Sequence, residues 1–433
     1  MPVFIRARYI DLFNQKSRIQ SGIPIPRSPA IPNANIMGGP PYASVVQDLV
    51  DGLKKNHWYS NLEEAVRQAL CYKIPEIEKL GIIDTDSFLY YMDFLVTTWV
   101  PSEDLEGKDV YYRLVIFYFI FDQPAIKDLQ TPIEPASVGK PLSFLSSWLV
   151  KYAEAMGKSL DEESSLTPAS LATFYSSPEY NMNDYIKPRG GWKTFNDFFA
   201  RSTKPGYRPI DALSDSTIIV SPADATFDGS WDIDAKSQVN IKNVEWNIMD
   251  LLQDSPYKDK FQGGKFMHSF LNTYDYHRQH APVDGKVVEA RTIAGQVYLE
   301  VTVDTDPSSG QPRLKGQRRV TGKPDGSLNA TVHAPDDAGY QFLQCRGLIV
   351  LETKIGYVAV LPMGMAQVSS VIITAEVGRE LRKGEEISYF QFGGSDIVVV
   401  FQAKSNVEIT AVYDPVNPVH YNMGKQIAIA HPK

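Results

Sequence analysis

Up to about residue 200 the apolar positions recur at three- and four-residue spacing, as in "YASVVQDLVDGLKKN" (42–56) and "LEEAVRQALCYKIPEIEKLG" (62–81). This period predicts helices with one apolar stripe. At 165–170 the run "SLTPAS" offers Thr167 as an N-cap with Pro168 at the first helical position, and "GGWKTFNDFFARS" predicts a short amphipathic helix carrying Phe195, Phe198 and Phe199. From about residue 215 the texture changes. Short runs rich in β-branched residues, among them "STIIVSPAD", "RGLIVLETKIGYVAVLPM", "SSVIITAEVG", "DIVVVFQ" and "VEITAVY", lie between Gly, Pro and Asp turns and predict strands. The expected class is α+β: a helical N-terminal region, residues 1–190, followed by a β-rich domain, residues 191–433.

Composition narrows the picture. With 433 residues, 43% hydrophobic and 22% charged, the chain reads as a soluble globular protein. Its longest apolar run, "LVIFYFIF" (114–121), is far short of the ~20 residues that span a bilayer, and reads as a buried helix or strand. The first residues scatter charges where a secretory signal needs an unbroken apolar stretch, so a cytoplasmic location is expected. A net charge of −8 argues against nucleic-acid binding. The one basic cluster, "RLKGQRRVTGK" (Arg313 to Lys323), reads as a solvated loop, with an anionic-ligand or membrane contact as the alternative. Cys71 and Cys345 are far apart and no Cys/His cluster offers a metal site, so neither a disulfide nor a metal is expected.

Candidate chemistry gathers in the second half. "TYDYHRQHAPVDG" (273–285) places His277 and His280 three residues apart. On a helical turn both rings would share a face, as in a metal pair; without a third ligand nearby, two structural histidines are the alternative. Asp224 in "VSPADATFDG" follows an apolar strand, where a loop can present a catalytic carboxylate or where the residue serves only the turn. In "YFQFGGSDIVVVFQ" (389–402), two glycines and Ser395 interrupt what would be one long strand, which marks a bulge, a bend or a close approach. Asp, His and Ser together suggest an orienting carboxylate, a base and a nucleophile.

"TFNDFFARSTKPGYRPID", "SPAD", "DYHRQHAP" with "DG", and "KGEE" followed by "FGGS" occur in that order from Thr194 to the C-terminus. This series resembles the phosphatidylserine decarboxylase family of self-processing, pyruvoyl-dependent enzymes. The resemblance implies that the chain cuts itself between Gly394 and Ser395, through an N-to-O acyl shift, β-elimination to dehydroalanine and hydrolysis to a pyruvoyl group and ammonia. The new C-terminal piece would be residues 395–433, 39 residues that stay with the rest as its partner. It implies further that Asp224 orients His280, that His280 activates Ser395, and that His277 serves decarboxylation by protonating the carbanion. The pyruvoyl ketone would form a Schiff base with the substrate amine, with no metal or free cofactor.

One position departs from the pattern: Asp396 stands where many relatives have Thr or Ser, putting a carboxylate beside the new ketone or, equally, into solvent. The helical N-terminal half and "SFLNTYDYHRQHAPVDG" look like the soluble fungal L-tryptophan decarboxylase branch. The expected substrate is a free aromatic L-amino acid, with Phe266, Phe270, Tyr274 and Tyr276 as candidates for an indole-sized pocket. Phosphatidylserine is the runner-up, and a catalytically inactive scaffold the reading of another class. No nucleic-acid or membrane partner is expected; a homo-oligomer is possible.

Overall fold

The computed structural model describes residues 42–241, 244–305, 310–316, 340–364, 371–414 and 417–433, with the backbone alone at 241, 315, 316, 394 and 395. The N-terminal stretch read as free of a secretory address lies outside these residues. The first half is helical. In the helix Ser44–Lys55 the apolar stripe Val45, Val46, Leu49, Val50 and Leu53 is buried, as the period requires. The helix Thr85–Thr97 starts on a capping box between Asp84 and Ser87. The helix Pro168–Ser176 starts as the sequence predicts: Thr167 accepts from the backbone N–H of Ser170, and Pro168 opens the first turn. "LVIFYFIF" belongs to the helix Asp109–Phe121, which is buried on nearly every side. Its Phe117 stacks on Tyr152 of the helix Phe144–Leu160 with ring centroids 4.7 Å apart.

The second half is antiparallel β. One sheet runs, in spatial order, Glu380–Leu381, Gly285–Ile293, Arg346–Thr353, Gly356–Gly364, Gly394–Phe401, Lys265–Phe270, Ala225–Asp232 and His420–Tyr421. Its middle strands, with "GLIVL", "YVAVL" and "IVVVF", are buried on both faces, which is why they read as unbroken apolar runs. A smaller sheet joins Val371–Ile373, Glu386–Phe390 and Arg278–His280, and another joins Ile218–Val220, Gln426–Ala430 and Val407–Ile409.

The basic segment is not wholly a loop. Pro312–Gly316 pairs with Val301–Thr305 as a hairpin, with Leu314 buried and Arg313 bonded to Asp304 at 3.3 Å, whereas residues 317–323 lie outside the described region. Periodicity of two was too short there to outweigh the charge in the sequence.

The helices pack directly on the β-rich half. The short helix Phe195–Phe199, capped by Thr194, buries Phe195, Phe198 and Phe199. Asn196 from it accepts the backbone N–H of Phe392 at 3.0 Å, and Phe392 packs edge-on against Phe195, Phe199 and Trp99 at 5.4–5.6 Å between centroids. The approach to the Gly-Gly-Ser run is thereby held by this short helix together with Trp99 of the helical region.

Candidate active site

The strand Gly394–Phe401 opens with the Gly–Ser junction. Its neighbour Gly356–Gly364 pairs Met363 with Asp396 and Gly364 with Gly394, so Ser395 is an extra residue on its strand. Such a bulge disrupts the ladder locally and leaves one residue unpaired. The glycine conformation lies at the first of the pair: Gly393 has φ 106°, in a turn with Phe392, and Gly394 is already in the strand. Two glycines precede the serine because the first makes the turn and the second begins the bulge.

The quoted motifs meet through backbone bonds. His280 N–H donates to Pro222 O at 2.8 Å and Val220 N–H to Pro282 O at 3.1 Å, which ties "SPAD" to "HAP". Ala281 N–H donates to Glu385 O and Gly384 N–H to Ala281 O, each at 2.8 Å, which adds "KGEE". Gly384 lies at φ 86°, where an L side chain is strained, and a Cβ there would press on the Ile210 side chain at 2.6 Å, so the position favours glycine. Its carbonyl accepts from Nδ1 of His280 at 2.8 Å, which leaves Nε2 to accept the Tyr276 hydroxyl at 2.9 Å. Burial lowers the pKa of His280, so its ring is neutral.

Asp224 is buried, and its hydrogen bonds go elsewhere than to His280. Arg208 donates from Nε at 2.9 Å to each carboxylate oxygen and from Nη2 at 2.5 Å, and Met423 N–H donates at 2.7 Å. Its effect on His280 is the milder one of a nearby negative charge. The groups that orient the imidazole are Gly384 and Tyr276.

His277 is fully buried, and its ring lies flat on Phe199 with centroids 3.8 Å apart and planes 22° apart. Among the described residues neither ring nitrogen has a hydrogen-bond partner. Burial, with the Arg201 guanidinium alongside, pushes its pKa well below the ordinary histidine value. Arg201 is itself buried; it donates to the carbonyls of Tyr274 and Asp275 and lies over the ring of Tyr185 at 4.2 Å.

Sequence reasoning missed Arg201 and Arg208, although both stand in the quoted "FFARSTKPGYRPID", and it missed His268 altogether. His268 Nδ1 is 3.2 Å from Asp228 and its Nε2 3.2 Å from Asp396. Asp396 is fully buried and accepts the Tyr340 hydroxyl, so the expectation that it could point into solvent does not hold. Burial alone would lower the pKa of His268, but Asp396 and Asp228 outweigh it and push the value up to about 10.

A cavity of about 480 Å³ is lined in part by Arg208, Asp224, Phe270, Tyr274, Asp275 and His420. Phe270 stands opposite Asp396 in the ladder, so the cavity begins one strand away from the bulge. Its volume is within the about 300–1,000 Å³ of ligand clefts. His420 donates to Asp275 at 3.1 Å; burial lowers its pKa, but Asp275 outweighs that and raises it. Of the four aromatic candidates, Phe270 and Tyr274 line this cavity. Phe266 instead packs against Trp231 and Phe342 in the core, and Tyr276 serves His280.

The family model described as phosphatidylserine decarboxylase matches residues 195–428, just over half of the chain. Phosphatidylserine decarboxylase proenzyme 3 of Schizosaccharomyces pombe is 30% identical over 240 residues, 55% of this chain and 22% of that protein. The phosphatidylserine decarboxylase proenzyme of Fusobacterium nucleatum is 28% identical over 260 residues, covering 60% of this chain and 73% of its own length. Decarboxylase iboD of Amanita muscaria is 28% identical over 246 residues, covering 56% and 67%. The chain thus spans about a fifth of the first relative and about two thirds or more of the other two. All three are named as decarboxylases, that is, carboxy-lyases. The chain belongs to the phosphatidylserine decarboxylase family.

Proposed function

We propose that this chain is a pyruvoyl-dependent decarboxylase that cuts itself between Gly394 and Ser395 and removes CO2 from a free L-amino acid, an aromatic one of the tryptophan type. The observation that carries the reading is the bulge at Ser395, at the head of a buried strand and next to a cavity that holds Asp224. A residue outside the regular ladder is one whose peptide can be reached, and Ser395 therefore suits conversion to the prosthetic group. When formed, that group supplies an electrophilic ketone that takes up the substrate's amine and draws electrons from the bond to its carboxylate.

The chain's own residues do the rest. His280, neutral and held through Nδ1 by Gly384, is the base that activates Ser395. The Tyr276 hydroxyl holds its Nε2, so the proton of Ser395 can be taken only once that hydroxyl turns aside. Asp224, fixed by Arg208, contributes a negative charge that favours the protonated imidazole. His277 serves the proton transfer that follows loss of CO2, its neutral ring relaying a proton rather than storing one, and Phe199 stacked on it keeps the ring in one plane. The cavity presents the carboxylates of Asp224 and Asp275 with Arg208 and His420, a polar set suited to a zwitterion, beside the aromatic walls of Phe270 and Tyr274.

Phosphatidylserine is the second reading, favoured by the names of the yeast and bacterial relatives. Two experiments test these readings. Intact mass spectrometry should show a large fragment and the 39-residue piece 395–433 without a free α-amino group, while Ser395→Ala stays whole; an uncut wild type would remove the central claim. A competition assay with tryptophan and phosphatidylserine vesicles should release CO2 from tryptophan. Phosphatidylethanolamine without any amine from tryptophan, tyrosine or phenylalanine would transfer the assignment to the lipid.

A further inference from the structure

We propose that His268 and Asp396 are a positioning pair for the peptide that is cut: bridged to Asp228 and Tyr340, they pin the residue after Ser395 and so hold the Gly394–Ser395 bond in the geometry that cleavage needs. The proposal rests on Ser395 being the residue that is cut.

The placement is built by register. Asp396 stands opposite Phe270, and Val398 opposite His268, so His268 and Asp396 are diagonal neighbours across two strands, within reach of long side chains. Asp228 reaches the other ring nitrogen because it too is a bulge residue: Phe227 pairs with Ser269 and Gly229 with His268, leaving Asp228 as the extra one. Two bulges on strands flanking the same histidine thus re-aim the chain, one of them at Ser395 and the other at the group that holds its neighbour.

All three ionisable groups are buried, His268 and Asp228 to 3% or less and Asp396 completely. Charges in such a place cost free energy unless paired and hydrogen-bonded, and even then an apolar replacement is often as stable. The network therefore has little to offer as simple packing. The proton that both carboxylates keep on His268 makes the Asp396 contact a charged one at neutral pH. The other oxygen of Asp396, Oδ1, has no hydrogen-bond partner among the described residues, so His268 and Tyr340 are what fix the carboxylate. Once the bond to Gly394 is broken, Asp396 is the first intact residue of the new strand end, which would otherwise be free to fray.

The test uses freshly made full-length protein and follows cleavage by intact mass over time. Asp396→Asn and His268→Gln should each slow cleavage by about 10- to 100-fold, the scale on which a misplacement of 1 Å acts. The double variant should be no slower than the slower single, because both remove one contact. Asp396→Glu, which keeps the charge, should cut faster than Asp396→Asn although the two melt at the same temperature; a purely structural pair would give equal rates. Should the singles not fold, Tyr340→Phe decides, since it removes one hydroxyl from Asp396: at least twofold slower cleavage supports the pair and an unchanged rate overturns it. Wild type cut at 394/395 with singles cut equally fast, or a double variant slowed by the product of the singles, overturns the proposal. An uncut wild type removes the reading of Ser395 as well.

Discussion

His277 and His268 are buried alike, yet they are opposite in chemistry. His277 lies on Phe199 with a pKa pushed far down by burial; His268 lies between two carboxylates with its pKa pushed up to about 10. Burial disfavours the charged form in both. Only the neighbours differ. One imidazole is therefore a neutral ring stacked on Phe199, and the other a fixed cation on the strand paired with the one that carries Ser395. A histidine's role follows from what faces its nitrogens, and depth alone says nothing of it.

The largest expected effect separates His277 from its motif neighbour His280. His277→Gln should cut itself normally and lose decarboxylation by about 10²- to 10⁴-fold, the usual loss with a general acid, whereas His280→Ala should remain largely uncut. Fragment masses and CO2 release measure both. Normal rates in both variants would make the motif pair structural and erase the contrast with His268.

Next in size is the packing that keeps His277 neutral. Phe199→Ala removes a buried ring from both His277 and Phe392 and should cost about 3–5 kcal/mol in denaturant unfolding. A loss under about 1 kcal/mol would mean that the stack does not hold the ring.

The two environments also predict opposite pH limbs of stability. His277 has a folded pKa below its unfolded value near 6.5, so stability is lost as pH falls below about 6.5, where the unfolded chain takes up the proton. His268 has a folded pKa raised to about 10, so its contribution is complete below about 6.5 and is lost as pH rises from there to about 10. Each limb slopes by at most about 1.4 kcal/mol per pH unit per group. His277→Gln should flatten the acid limb and His268→Gln the alkaline one in thermal melts across pH 5 to 10; unchanged limbs would refute the charge assignments.

The smallest expected effect is that of salt. Buried pairs are screened far less than exposed ones, so raising ionic strength from about 0.05 to 0.5 M should change the rate of self-cleavage less than twofold. A steep dependence would mean that the His268–Asp396 contact opens to solvent.

The helices, their caps and most strands were legible because they depend on neighbours three or four residues away, as at Thr167 with Ser170, or on alternation within one run. The residues Asp224, His277, His280 and Ser395 were legible as a motif series, since their types and order are written in the chain. Their partners were not. Arg208 on Asp224, Phe199 on His277, Gly384 on His280 and His268 on Asp396 are contacts between separate elements. The bulge at Ser395 likewise exists only against Met363 and Gly364.

By itself, then, the sequence determined the α+β class, the family series and the presence of a Gly–Ser junction, because local propensity and residue identity suffice for those. Which histidine carries a proton, what holds Asp224, and that Asp396 is buried in a charged network were decided by the tertiary structure alone. Desolvation and Coulomb energy depend on distances between side chains remote in sequence, and no run of neighbouring residues contains them.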